Sequence, residues 1–168
     1  MATLPQGYTI RAGEIRDIEA LQALDVRASH LFEPTGLIEF PEAGPEPIPE
    51  SELLNGISTG WLFVVIWEPE KPVGFAYCTQ RRSHLYLDQI SVDPFHGRRG
   101  LGSALIETVV AVADREGLKS VILSTFRDVP WNGPFYRSLG FAEIPRRRYV
   151  SWMQKLEAIQ AETMDVTL

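Results

Sequence analysis

The stretch "HGRRGLGSALIETVVAVADREG", His96–Gly117, sets Gly97, Gly100 and Gly102 around Arg98 and Arg99 and then runs directly into an amphipathic helix. Glycines at the junction of a strand and a helix let backbone N–H groups approach a ligand, and the helix N-terminus adds partial positive charge. The junction therefore reads as an anion site suited to phosphate. Two phosphate-binding patterns fail on spacing. The nucleotide loop GxxxxGK[ST] needs a Lys after its last glycine, and the dinucleotide fingerprint GxGxxG needs a glycine where Leu105 stands.

Working outward, the helix places Leu101, Ala104, Leu105, Val109 and Val112 on one face and closes at Gly117. Upstream, "YTIRAG" reads as a strand and "EIRDIEALQALDVRA" as a helix with Ile15, Ile18, Leu21, Leu24 and Ala28 on its buried stripe. "EPTGLIEFPEAGPEPIPE" is rich in proline and reads as an exposed irregular loop, followed by a short helix "SELLNGI" capped by Ser51. The runs "WLFVVIW", "PVGFAYCTQ" and "HLYLDQISV" read as an antiparallel meander. "KSVILSTF" joins the last of these through the helix, so that pair is expected to be parallel. "NGPFYRSLG" reads as a short helix, and "FAEI" and "RRRYVSWMQ" as two final strands. The order predicts an α+β fold. Residues 1–152 read as one domain and 153–168 as a tail or short helix.

With 168 residues and 45% hydrophobic content the chain can bury one good core. It has no run of apolar residues long enough to span a membrane and no basic-then-apolar start, so a cytoplasmic protein without membrane association is expected. The lone Cys78 lies in an apolar run and reads as a structural thiol. His30, His84 and His96 lack ligand spacing, so no metal is expected. The net charge of −6 is concentrated in the first third of the chain, which argues against a nucleic-acid partner. Between Ser29 and Glu50 lie Glu33, Glu39, Glu42, Glu46 and Glu50 without a Lys or Arg.

The stretch "SVDPFHGRRGLGSAL" resembles the acetyl-CoA-binding motif of the GNAT N-acetyltransferase superfamily, Q/R-x-x-G-x-G/A after a strand ending in V-x-P. Val92, Pro94, Gly100 and Gly102 fall on the pattern, while Gly97 stands at the Q/R position. "PWNGPFYRSLGF" is similar to the later family motif ending in Y-x-x-x-G-F, matched by Tyr136, Gly140 and Phe141. The family often carries an Asn seven residues before that Tyr. Here Val129 is at that place and Asn132 lies four before.

The resemblance implies a GNAT-like fold, with a mixed, mostly antiparallel central sheet flanked by helices on both faces. It implies acetyl-CoA as co-substrate, bound by Ile90, Ser91, Val92, Gly97, Arg98, Arg99, Gly100, Leu101, Gly102, Ser103, Asn132 and Tyr136. The activity implied is direct transfer of an acetyl group to a primary amine, on a small molecule or a peptide, with no covalent enzyme intermediate. Tyr136 is the implied general acid for the CoA thiolate. Asp88, the one carboxylate in "LYLDQISV", is the candidate base or acceptor-holding group, with Glu68, Tyr77 and His84 as fallbacks. Glu33, Phe32, Phe40 and Tyr77 are the candidate acceptor contacts, and the acidic loop suits a cationic amine. A non-catalytic acyl-CoA-binding module and an acyltransferase for longer chains are the alternatives. A homodimer is compatible with the reading.

Overall fold

The computed structural model describes residues 3–162 and 164. The described residues form two compact units, one within residues 3–31 and 45–124 and the other within residues 32–44, 125–162 and 164.

The first unit carries a five-stranded sheet in the order β1-β2-β3-β4-β5. Its strands are β1 Tyr8–Ala12, β2 Leu62–Trp67, β3 Lys71–Arg81, β4 His84–Val92 and β5 Ser120–Leu123. The first four are antiparallel neighbours, and β4 pairs with β5 in parallel. The expected meander and parallel pair are both present. β2 is an almost continuous apolar run because both of its faces are covered. Helices α1, Ile18–Ser29, and α2, Glu50–Thr59, lie on one face. There Leu21, Leu24 and Leu53 pack with Leu62, Val64, Phe75 and Tyr77. Helix α3, Leu101–Arg115, buries Leu101, Ala104, Leu105, Ile106 and Val109 against the sheet. Each fully buried leucine of this kind contributes about 2 kcal/mol of transfer free energy.

Two details of the first unit differ from expectation. α2 starts at Glu50 after extended Pro49, with no side-chain cap from Ser51. The acidic Glu50 and Glu52 in its first turn complement the helix dipole instead. Ile15 is 71% exposed because a 3-10 turn, Ile15–Asp17, precedes α1 and rotates it off the buried stripe.

The second unit contains α4, Gly133–Ser138, and α5, Ser151–Gln160. Neither "FAEI" nor "RRRYVSWMQ" forms a strand. Phe141 folds back on Tyr136, Pro145 opens a 3-10 turn through Arg146–Arg148, and α5 follows. In α5 the half-buried positions Trp152, Met153, Leu156 and Gln160 recur at helical spacing. "RRRYVSWMQ" reads as a strand, but this helical period decides the element. Ile38 forms an isolated bridge with Met164.

Candidate active site

The glycine-arginine turn is built from its flanks inward. Asp93, at the end of β4, accepts from Phe95 N at 3.1 Å and from Arg27 Nη2 of α1 at 2.6 Å. Burial pushes the Asp93 carboxyl up, but these bonds outweigh it and hold the group below the ordinary carboxylate range. Gly97 has an ordinary φ of −63°, and a Cβ there would sit 3.2 Å from Pro94 O. Arg98 and Gly100 both adopt left-handed backbone, with φ of 58° and 79°. Only glycine does so without steric cost, which accounts for Gly100 at the junction. Ala104 N makes the first intrahelical bond of α3, to Gly100 O, so the N–H groups of Leu101, Gly102 and Ser103 lack such a partner. Arg98 and Arg99 are exposed beside them. Unpartnered N–H groups at a helix N-terminus beside positive charge make this turn suited to an anion.

β4 and β5 part company halfway along. Their pairing ends at Leu87 with Leu123, whereas β4 continues to Val92. Asp93 N donates to Val73 O, so 73 and 93 form a hydrogen-bonded pair. Alternation along the antiparallel ladder then turns the N–H groups of Ile90 and Val92 away from β3, toward the edge that β5 has left. Ser91 faces the other way, and its Oγ donates to Asp25 Oδ1 at 2.6 Å.

A β-bulge decides where Asp88 points. Tyr77 pairs with Gln89 and Cys78 with Leu87, leaving Asp88 as the extra residue. In a regular strand Asp88 and Gln89 would face opposite sides. Here both reach the face under α1 and α2. Asp88 Oδ2 accepts from Thr79 Oγ1 at 2.8 Å, and Gln89 Nε2 donates to Asp25 Oδ1 at 2.8 Å. Burial holds the Asp88 carboxyl above the ordinary range, opposed by the Thr79 bond and the nearby Arg81 charge. Glu52 is also raised, by partial desolvation and by the charges of Asp88 and Asp25. Tyr77 is buried, and its hydroxyl accepts from Asn55 Nδ2 at 3.0 Å. Burial and the Asp88 and Glu52 charges raise the phenol against that bond.

Asp25, Glu52, Asn55, Thr79 and Gln89 thus join Asp88 and Tyr77 on one polar face. Sequence reading missed them. Asp25 left a usable sign, since it interrupts the apolar stripe of α1 between Leu24 and Ala28. Glu68, exposed beyond the end of β2, and His84, at the start of β4 with Nδ1 2.8 Å from Ser120 Oγ, are not brought to the bulge.

In the second unit Tyr136 lies on α4, buried against the rings of Phe135 and Phe141. Burial pushes its phenol up to about 12. Gly140, at φ 90°, ends the helix and lets Phe141 N return to Tyr136 O at 3.1 Å, which is the structural content of the Y-x-x-x-G-F pattern. Asn132 precedes α4 without a side-chain cap bond. Phe32 packs against Phe126 and Trp131, while Phe40 is half-buried and Glu33 exposed. Nearby is an apolar cavity of 310 Å³ lined by Leu37, Phe126, Val129 and Trp131 among others. Among the described residues no group of His, Cys, Asp and Glu is arranged to hold a metal, and no helix is long and apolar enough to cross a membrane.

A profile of the acetyltransferase (GNAT) family matches residues 27–141, which span the glycine-arginine turn, the bulge and α4. The chain belongs to the GNAT acetyltransferase family. The fold agrees with several solved GNAT structures. The ribosomal-protein-S18-alanine N-acetyltransferase of Escherichia coli is 24% identical, with a TM-score of 0.64 over 86% of this chain and 84% of that one. A GNAT acetyltransferase of Staphylococcus aureus is 17% identical, with a TM-score of 0.67 over 86% and 90%. The PaiA N-acetyltransferase of Thermoplasma acidophilum, solved with coenzyme A, is 15% identical, with a TM-score of 0.64 over 80% and 89%. The α+β architecture expected from the GNAT resemblance is therefore the observed one.

Proposed function

We propose that the protein transfers the acetyl group of acetyl-CoA directly to a primary amine, and that the amine's carrier is cationic. The observation that carries this reading is the free edge of β4 beyond Leu87, which leads into the glycine turn at the start of α3. An extended pantetheine arm adds to such an edge as a strand would, with Ile90 and Val92 N–H as donors, while the pyrophosphate sits on the N–H groups of Leu101, Gly102 and Ser103. Arg98 and Arg99 supply positive charge there.

The acceptor nitrogen must lose a proton as it forms its bond to the thioester carbon, and the departing sulfur must gain one as the C–S bond breaks. Asp88, raised by burial and set on the polar face by the bulge, takes the amine proton directly or through water. Tyr136 gives its proton to the CoA thiolate, the role that its place in the family motif implies. Glu52, Asp88 and Asp25 supply a negative field for a cationic acceptor, with Tyr77 beside them. Exposed Glu33, Glu39 and Glu42, with Phe32 and Phe40 between and beside them, give the second unit an acidic, partly apolar loop suited to a cationic amine.

The test is an acetyl-CoA-dependent screen of amines that follows thiol release. Turnover with diamines or lysine-like amines above that with neutral amines of equal size supports the reading. Turnover with neutral amines alone refutes the cationic acceptor, and no turnover with any amine refutes the transferase.

A further inference from the structure

We propose that Tyr8 is a positioning residue for CoA, its phenol holding the Arg99 guanidinium at the glycine turn as a preset contact for the pyrophosphate. The proposal rests on the acetyl-CoA reading above.

Tyr8 is the first residue of β1, remote in sequence from the turn, and is 7% exposed. Its oxygen receives Arg99 Nη1 at 3.1 Å and lies 2.8 Å from His96 Nδ1. A guanidinium only donates, so Tyr8 accepts from Arg99. Tyr8 and His96 share one proton between the phenol oxygen and Nδ1, in a direction set by the imidazole tautomer. Burial lowers the imidazole, Asp93 opposes that, and the Arg99 and Lys71 charges add to the lowering. The ring is fixed by Trp67, 5.1 Å away between centroids, and by an edge contact with Tyr8.

The result is a hydrogen-bonded chain of Arg99, Tyr8 and His96, anchored in the sheet. Arg99 remains exposed, and its Nε and Nη2 donors are not used by Tyr8. A long cationic side chain loses rotamer freedom when it grips an anion. Prior fixation by Tyr8 removes part of that cost. The other end of the same turn is pinned by the Arg27–Asp93 pair. Neighbouring Arg98, in left-handed backbone, has no comparable anchor among the described residues.

The experiment compares acetyl-CoA with S-acetylpantetheine, which has the same thioester and arm but no pyrophosphate. Tyr8→Phe is expected to raise the KM for acetyl-CoA and the Kd for CoA roughly two- to tenfold, as the rotamer cost that Tyr8 removes in advance falls again on binding. Its kcat and its KM for S-acetylpantetheine are expected to stay at the parent values. Adding Tyr8→Phe to Arg99→Met is expected to cost no further affinity, because both act through one contact. Should Tyr8→Phe fold too poorly for assay, Arg99→Met tests the contact from its exposed side by the same pair of substrates. Calorimetry with CoA separates the two readings: a parent that binds CoA yet turns over no acetyl-CoA counts against the transferase alone. An unchanged CoA Kd in folded Tyr8→Phe, an equal loss with S-acetylpantetheine, or additive losses in the double variant overturns the role of Tyr8.

Discussion

Asp88 Oδ2 accepts a hydrogen bond from Thr79 Oγ1 at 2.8 Å across the one place where the β3–β4 ladder slips register. The bond favours the carboxylate while burial favours the neutral acid, and burial prevails. Bulges commonly re-aim a side chain beside an active site, and this one moves Asp88 onto the polar face with Gln89.

Asp88 works as a base only when ionised, so kcat/KM is expected to rise with pH through a group above the ordinary aspartate value of about 3.9. Thr79→Val removes a bond that lowers this group and should move the acid limb to higher pH. Thr79→Ser should leave it in place. Asp88→Asn should abolish the limb and lower kcat by roughly a hundredfold or more. A pH profile that is the same in all three variants refutes the assignment.

Gly100→Glu and Gly102→Glu place side chains and negative charge at the N-terminus of α3. Calorimetry with CoA is expected to show a loss of roughly tenfold or more in each, equivalent to about 1.4 kcal/mol. Gly100→Ala should lower stability by about 1–2 kcal/mol, since its φ of 79° is left-handed. Unchanged CoA affinity in folded Glu variants would remove the turn from the binding site.

Tyr136→Phe is expected to lower kcat roughly ten- to a thousandfold with little change in CoA affinity. Because burial pushes the phenol up to about 12, the parent's kcat should not fall near the ordinary phenol value of about 10. Steady-state rates across alkaline pH check both statements. A kcat equal to the parent's leaves Tyr136 as packing only.

Glu52→Gln should raise the KM for cationic acceptors and leave that for neutral amines unchanged. The combined change of Glu33, Glu39 and Glu42 to Gln should have a weaker effect that disappears in high salt, since those side chains are exposed and a Debye length of about 3 Å at 1 M screens them. Acceptor KM measured over a salt series distinguishes the two. If neither variant separates cationic from neutral amines, acceptor charge is not read by these carboxylates.

Asp17 tests the frame rather than the site. Its carboxylate is 3% exposed, accepts both Arg11 nitrogens at 2.7 and 2.8 Å, and receives Glu14 N at 2.9 Å. Burial raises the group, but these bonds win and hold it below the ordinary range. A lowered carboxyl contributes stability above its unfolded value of about 3.9, and that contribution fades as pH falls toward the folded value. Asp17→Asn should therefore cost about 2–3 kcal/mol at neutral pH and less in acid. Denaturant melts at the two pH values provide the comparison, and an equal cost at both would contradict the linkage.

Much of this arrangement is legible in the sequence. The alternation and β-branching of "WLFVVIW", "PVGFAYCTQ" and "HLYLDQISV", and the helix closing at Gly117, fixed the meander, the crossover and the parallel pair through local rules that need no partner. The glycine-arginine turn is legible for the same reason, because φ at Gly100 is a property of the chain itself. Other features depend on residues far apart in sequence. The slip at Asp88 exists only through its register with Tyr77 and Cys78, and Arg99 finds Tyr8 only once β1 joins the sheet. Asp25 and Glu52 come to Asp88 from two helices. "RRRYVSWMQ" differs from the strand expectation because the half-buried positions Trp152, Met153, Leu156 and Gln160 follow a helical period that extends beyond it. Local periodicity set the elements and the glycine-arginine turn; tertiary pairing set the electrostatics, since charge and burial act through space rather than along the chain.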